Sequence, residues 1–165
     1  MMLDLRSIIE IPGASLPFEC ELDVERLDFP SVLQYHSAPT ASGIVKNTAG
    51  LLTLTGELHA EMSCLCDRCA REYDCVKVLP LDVTLAADLE EDADSAEIFP
   101  LEGDLLDLDD LLETCFILDM EAKHLCQEDC AGLCDQCGAN LNLGPCGCKA
   151  KTDPRLAVLE QLLDI

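Results

Sequence analysis

The amino-acid sequence predicts an α+β fold, in which an antiparallel β-sheet body with one or two short helices is followed by a small cysteine-rich module. Apolar and polar residues alternate strictly in the middle of the chain, apolar residues then recur at helical spacing, and closely spaced cysteines follow near the C-terminus. The body is predicted over residues 1–122, with an acidic loop and a helix, and the module over residues 123–165, with a C-terminal helix.

Composition and charge limit the classes of function. Apolar residues make up 49% of the 165 residues, enough to bury a core, but 33 acidic residues against 10 basic ones give a formal net charge of −23. Because nucleic-acid binding depends on Lys and Arg that neutralise phosphates, this charge disfavours a broad RNA-binding face and favours a basic protein partner. The N-terminus lacks a secretory signal and no apolar run could span a membrane, so we expect a cytoplasmic protein.

The sheet is predicted from three segments. Residues 16–22 alternate and form a candidate strand, and a longer strand at 52–66 places Leu, Ala, Met and Cys on one face and Thr, Glu, His and Ser on the other. After a C-D-R-C turn, a returning strand is predicted over residues 72–85. Gly56 is interpreted as a bend or bulge, and Pro80 as a sign of an edge position or a break.

An acidic stretch follows the last predicted strand. Residues 82–122 contain fifteen Asp or Glu and no Lys or Arg, and the most polar part, 88–97, is predicted to be a mobile loop. The acidic side chains form either a solvated surface or a docking face for a cationic partner. In the second interpretation the partner-binding residues are Asp92, Asp94, Glu97 and Glu102.

Two helices are predicted from capping residues and apolar spacing. Asp107 is a candidate N-cap, and the apolar stripe after it consists of Leu108, Leu111, Leu112, Cys115 and Leu118. Near the C-terminus, Asp153 caps a short helix with Pro154 at its first position, where a missing N–H costs nothing.

The strongest chemical signal is a C-x2-C-G motif followed by a C-x-C pair. Its cysteines are Cys134, Cys137, Cys146 and Cys148. A tetrahedral metal ion needs four converging thiolates, and each tight pair supplies half of them. Close cysteine pairs in a chain without a secretory signal indicate metal ligands more often than disulfides. The spacing therefore predicts a structural zinc site in a zinc-ribbon-like module.

A second zinc site is expected from two cysteine pairs that lack partners of their own. Its ligands would be Cys66 and Cys69 of the C-D-R-C turn with Cys126 and Cys130 of the module. Such a site would attach the module to the sheet. Two alternatives stay open: Cys126 and Cys130 could instead join Cys134 and Cys137, or the outer pairs could be reduced, part-buried thiols.

The remaining chemically active residues have simpler interpretations. Three cysteines are expected to be packing residues: Cys20, Cys75 and Cys115. His124 is a candidate spare ligand because it is close to Cys126 in sequence. Arg68 is interpreted either as surface charge paired with Asp67 or Glu72 or as a contact to RNA phosphate, and the first is favoured because one arginine anchors RNA weakly.

The order of these motifs resembles the YceD family of large ribosomal RNA subunit accumulation proteins, in its form with a cysteine-rich tail. The matching segments are N-T-A-G-L-L-T-L-T-G at 47–56, C-D-R-C at 66–69, L-D-L-D-D-L at 106–111, the cysteine-rich stretch at 125–142, C-G-C at 146–148 and D-P-R-L-A-V-L at 153–159. The resemblance covers residues 40–165 well. One departure is Cys64, an additional cysteine beside the family's C-x-R-C motif, which leaves open which sulfurs act in this turn.

The resemblance implies a non-enzymatic role in ribosomal RNA accumulation, hence in ribosome assembly. We therefore expect a ribosome-biogenesis factor with structural zinc that engages a basic ribosomal protein or a pre-ribosomal particle and no membrane. The rival interpretations are a thiol redox or metal-handling protein that uses its C-x-x-C pairs, and a zinc ribbon that binds RNA directly. A redox pair would be expected at a helix start within a βαβ pattern, which these pairs lack.

Overall fold

A computed structural model of the protein describes residues 1–86 and 98–148. The strands are β1 (Met2–Asp4), β2 (Ser15–Glu21), β3 (Val32–Tyr35), β4 (Thr40–Thr48), β5 (Leu51–Leu65), β6 (Glu72–Ala86), β7 (Ile98–Pro100) and β8 (Leu105–Asp107). The helices are α1 (Arg6–Ile9) and α2 (Leu108–Asp119), and short 3-10 turns lie at Val24–Arg26 and Leu141–Leu143. The predicted α+β class is confirmed. The predicted loop over 88–97 and the predicted helix at Asp153 lie outside the described residues.

The main sheet has the strand order β2-β4-β5-β6-β7, and β3 pairs with the far end of β5. All of these pairs are antiparallel except β6 with β7. The dominant unit is the hairpin of β5 and β6, which are 15 residues long each and pair along nearly their whole length. Pro80 pairs with Glu57 of β5, and β7 reaches only residues 84–86 of β6. Within the described residues Pro80 therefore lies on an edge stretch, as predicted.

One face of the sheet, the inner face, carries the core. The alternation predicted for β5 is confirmed, because Leu54, Leu58 and Met62 are buried whereas Glu57 and His59 are exposed. Helix α2 lies over this face and is fully buried at Leu108, Leu111, Leu112 and Phe116. The outer face consists of the alternate residues of the same strands.

The predicted start of α2 is confirmed, but the prediction that Leu118 belongs to its buried stripe is wrong. The Asp107 carboxylate accepts a hydrogen bond from the backbone N–H of Asp110 at 3.4 Å, as an N-cap does. Leu118, expected in the stripe, is 73% exposed. The buried face centres on Leu112 and Phe116, which are one helical turn apart. Leu118 is two residues beyond Phe116, about 200° around the helix, so its side chain faces solvent.

Of the bend or bulge predicted at Gly56, the bulge is wrong. The register of β5 with β4 and with β6 continues through Gly56 without a shift. A Cβ at this position would lie 2.2 Å from the backbone oxygen of Ser42 and 2.8 Å from the Cα of Gly43. The paired glycines allow two strands to approach closely, and the ring of Phe18 lies beside Gly43 at this point.

Candidate metal centres

The long hairpin projects the C-D-R-C turn beyond the end of β5. The turn is closed by hydrogen bonds from the backbone N–H of Ala70 to the carbonyl of Cys66 and from the N–H of Cys66 to the carbonyl of Arg71, both at 2.9 Å. Ala70 adopts a left-handed conformation with φ of 53°, which reverses the chain after Cys69. Cys66 and Cys69 are both buried.

Hydrogen bonds hold the module against this turn. The backbone N–H of Asp67 donates to the carbonyl of His124 at 2.8 Å, and the N–H of His124 donates to the Asp67 carboxylate at 2.7 Å. The guanidinium Nη1 of Arg68 donates to the carbonyl of Cys130 at 2.8 Å. These bonds position residues 124–130 so that their cysteines face those of the turn.

Four sulfurs meet there, and we call this group the sheet tetrad: Cys66, Cys69, Cys126 and Cys130. All four lie within 4.8 Å of one another, with 3.7 Å from Cys66 to Cys130 and 3.7 Å from Cys69 to Cys126. Thiolates held at about 2.3 Å from a tetrahedral zinc ion are about 3.8 Å apart, so the spacing fits such an ion. Tyr73 and Leu125 pack against the tetrad and shield it.

The protonation of the sheet tetrad favours a bound cation. Burial raises the pKa of Cys66, but backbone N–H groups around the sulfur outweigh it and lower that pKa to about 6. The pKa of Cys126 is raised to about 12, by burial first and then by the neighbouring sulfurs. The pKa values of Cys66 and Cys130 are thus lowered and those of Cys69 and Cys126 are raised, so a cluster of this kind needs a positive ion before all four thiols can ionise.

A second group, the knuckle tetrad, comprises Cys134, Cys137, Cys146 and Cys148. These four sulfurs also lie within 4.8 Å of one another. The first pair is held in a tight turn, in which Gly138 has φ of 70° and donates its N–H to the carbonyl of Cys134 at 2.9 Å. Hydrogen bonds from the backbone N–H groups of Cys137 and Gln136 lower the pKa of Cys134 to about 7. This donor set also fits a tetrahedral zinc ion.

Asn142, which lies between the two cysteine pairs of the knuckle tetrad in the chain, contacts the sheet tetrad, a role that sequence reasoning did not assign. Its Oδ1 accepts the backbone N–H of Ala131 at 2.7 Å, and its Nδ2 lies 3.4 Å from the sulfur of Cys130. The N–H of Asn142 in turn donates to the side chain of Asn140 at 3.0 Å. The sulfur contact joins residues that are twelve positions apart in the chain.

The structure chooses among the cysteine groupings that the sequence left open. Cys126 and Cys130 lie with the turn cysteines and not with Cys134 and Cys137. Cys64, the additional cysteine, is buried in the core with its sulfur 3.4 Å from that of Cys75, outside both tetrads. Cys20 and Cys115 also lie outside the tetrads, and His124 contacts the turn through its backbone rather than as a ligand.

The predicted partner-binding residues have different positions. Asp92, Asp94 and Glu97 lie outside the described residues, and Glu102 is exposed in a short turn where its backbone pairs with Leu105. The Arg68 guanidinium serves an internal hydrogen bond to Cys130, which neither sequence interpretation included. The cause is tertiary, since Cys130 follows Arg68 by 62 residues.

Comparison with known proteins gives one match. The family model described as "Large ribosomal RNA subunit accumulation protein YceD" matches residues 54–163, a range that contains both tetrads. No curated protein and no solved structure matches the chain. Among the described residues, no helix has both the length and the apolar character needed to cross a membrane.

Proposed function

The chain belongs to the YceD family, whose role is the accumulation of large-subunit ribosomal RNA, and we propose that it is a non-catalytic ribosome-biogenesis factor with two structural zinc ions and a basic protein partner. The family match over residues 54–163 carries the biological role. The metal and the partner are inferred from the chemistry of the chain.

The donor sets support zinc in a structural role. Soft thiolates select zinc over magnesium or calcium, and four of them complete a tetrahedral shell. Each tetrad supplies four sulfurs, so a bound zinc ion would have no open position for a reactive water. The ion would neutralise the thiolates and hold the module in place; the protein's own contribution is the backbone N–H groups that favour ionised sulfur at Cys66 and Cys134.

The charge of the chain supports a basic protein partner. Several of the few cations are used inside the protein: Arg26 pairs with the buried Glu113 at 2.9 Å, and Lys77 with Asp119 and Glu121 at 2.8 and 2.9 Å. The net charge of −23 then repels phosphate and attracts Lys-rich surfaces. Ribosomal proteins are basic and prone to aggregate before they bind RNA. An acidic protein that binds them would keep them from aggregating.

Two measurements test this proposal. The affinity of the purified protein for naked large-subunit RNA and for basic proteins extracted from large subunits is compared at the same salt concentration. We expect binding to at least one of the proteins, weakening steeply with salt because exposed charges are screened over about 8 Å at physiological ionic strength. Tight binding to RNA with none to the proteins would contradict the proposed basic protein partner and would favour a zinc ribbon that binds RNA directly.

In cells, depletion is expected to lower the ratio of large- to small-subunit ribosomal RNA. Wild-type protein should restore this ratio, and a variant with Ser in place of Cys66 and Cys134 should not. A matched variant with Ser at Cys20 and Cys115, which lie outside the tetrads, should restore it. An unchanged ratio on depletion would contradict the assembly role.

A further inference from the structure

The outer face of the main sheet is a second candidate site, and no described helix or strand covers it. Its strands β4, β5 and β6 alternate between buried inner residues and exposed outer ones over their lengths. The core lies entirely on the other side, against α1 and α2. An antiparallel sheet can leave one face in water, but that face is then normally polar.

This outer face instead has an apolar strip on β6. Val76 is 66% exposed and Val78 is 50% exposed, and Pro80 continues the strip two residues further. On β4, which is separated from β6 by β5, Ile44 is 42% exposed on the same face. The free energy falls when a partner removes aliphatic side chains from water, so binding of a partner over this strip would be favourable.

Carboxylates border the strip at positions that the strand register fixes. Glu61 lies opposite Val76 and Glu57 lies opposite Pro80. Along β6 itself, the Asp74 side chain is 77% exposed at one end of the strip. Beyond them on β2, Glu19 and Glu21 are exposed on the outer side of the sheet.

We propose that this outer face binds a Lys- or Arg-rich segment of the basic protein partner, with apolar residues of that segment covering Val76 and Val78 and its cations meeting Glu57 and Glu61. The inference rests on the proposed function and assigns its binding surface. A polynucleotide would bring phosphates against the carboxylates, and a second copy of this chain would bring the same carboxylates face to face. A cationic segment with one apolar side can cover the valines of the strip and pair its cations with the carboxylates that border it.

The first experiment compares surface variants of the full, zinc-loaded protein. The probe is the protein fraction extracted from large ribosomal subunits; the basic protein that wild type retains is then titrated against each variant. Val76→Thr with Val78→Thr preserves strand propensity and should weaken binding by about tenfold or more. The matched control, Ile117→Gln with Leu118→Gln, changes two exposed aliphatic residues on α2 and should bind as wild type does.

Charge is tested in the same way. Glu57→Lys with Glu61→Lys should weaken binding and reduce its dependence on salt, because two border carboxylates are reversed. Glu10→Lys with Asp104→Lys changes the net charge equally at exposed positions near α1 and should have a smaller effect. Circular dichroism and zinc content confirm that each variant is folded.

A photo-crosslinking amino acid at position 76 makes the test independent of the loss of binding. The expected product joins position 76 to a basic protein, while the same group at position 118 gives none. If all outer-face variants bind the basic protein as tightly as wild type does, the proposed binding surface is wrong and the proposed function is unaffected. Crosslinks from position 76 to residues 149–165, to a second copy or to RNA would also refute it. If wild type binds no basic protein at all, the proposed partner fails and this inference with it.

Discussion

The sulfur of Cys66 lies 3.7 Å from the sulfur of Cys130, although the two residues are 64 positions apart in the chain. One belongs to the turn of the long β-hairpin and the other to the C-terminal module. A metal ion at this point would therefore cross-link two parts of the protein that are joined by a long chain segment. Closing a long loop in this way limits the unfolded chain and stabilises the folded one.

The first prediction concerns metal content. Wild type is expected to bind two zinc ions per chain, and Cys137→Ser or Cys130→Ser should each lower the content to one, since each removes a ligand from a different tetrad. Hydrogen exchange should distinguish them. Loss of Cys137 should expose the amides of residues 132–148, whereas loss of Cys130 should expose those of 124–130. Elemental analysis of protein prepared without chelator measures the zinc.

The control for metal content is Cys115→Ser, because Cys115 lies on α2 outside both tetrads. It should retain both ions. Protein without zinc, or loss of both ions in the Cys137 variant, would contradict two independent centres.

The second prediction assigns Arg68 to the attachment of the module. Arg68→Ala removes the hydrogen bond to the carbonyl of Cys130 and should lower the free energy of unfolding by about 1–2 kcal/mol. Arg71→Ala is the matched control, since it removes an exposed arginine from the same turn. Urea unfolding measures the difference, and affinity for large-subunit RNA should stay the same in both variants. A fall in RNA affinity without a change in stability would instead make Arg68 a phosphate contact.

The third prediction concerns the close approach of β4 and β5. Gly56→Ala places a methyl group 2.2 Å from the Ser42 oxygen and should destabilise the protein by about 2–4 kcal/mol, because backbone cannot move aside as a side chain can. Thr55→Ala, at the neighbouring exposed position, should cost less than about 1 kcal/mol. Equal thermal stability of the two variants would show that the strands separate there without cost.

The fourth prediction gives the pH dependence of the Lys77 ion pairs. Lys77 is buried at 8% exposure and donates to the carbonyl and carboxylate of Asp119 and to Glu121. Burial raises the pKa of Glu121, but hydrogen bonding to Lys77 outweighs it and holds that pKa below 4.5. A carboxylate with a lowered folded pKa stabilises the protein above its unfolded pKa, and this stability is lost as pH falls through the folded value.

Lys77→Met should therefore lower stability at pH 7 by about 1–2 kcal/mol, a modest value because both carboxylates are half exposed. The gap to wild type should narrow below pH 4.5 as Glu121 becomes protonated. Lys46→Met, an exposed lysine on β4, should show no such narrowing. Denaturant midpoints across this pH range measure both variants, and a constant gap would exclude the ion pairs as its source.

Local patterns in the sequence were enough for strands β2, β5 and β6 and for the pairing of cysteines within a motif. The alternation on β5 identified its buried face because side chains of a strand point to opposite sides in turn. The capping carboxylate of Asp107 located the start of α2 for a similarly local reason. The C-x2-C-G and C-x-C spacing likewise brought the knuckle cysteines together.

Other features depended on residues distant in the chain. The sheet tetrad needed the module to fold onto the hairpin turn, and the sequence left its alternatives open because spacing says nothing about which segments meet. Gly56 was misinterpreted as a bulge because its reason is the facing Gly43, and Leu118 because the centre of a helix's buried face depends on where the helix lies on the sheet.

By itself the sequence determined the fold class, the acidic character and the family, because periodicity, composition and ordered motifs are properties of the chain alone. Only the tertiary structure decided that Arg68 and Asn142 support Cys130, and that an apolar strip on β6 lies beside carboxylates of β5. These relationships arise from the register of β5 with β6 and from the packing of the module on the hairpin turn. Both depend on packing and hydrogen bonding between segments that are distant in the chain, and hence on the whole fold rather than on any single stretch of residues.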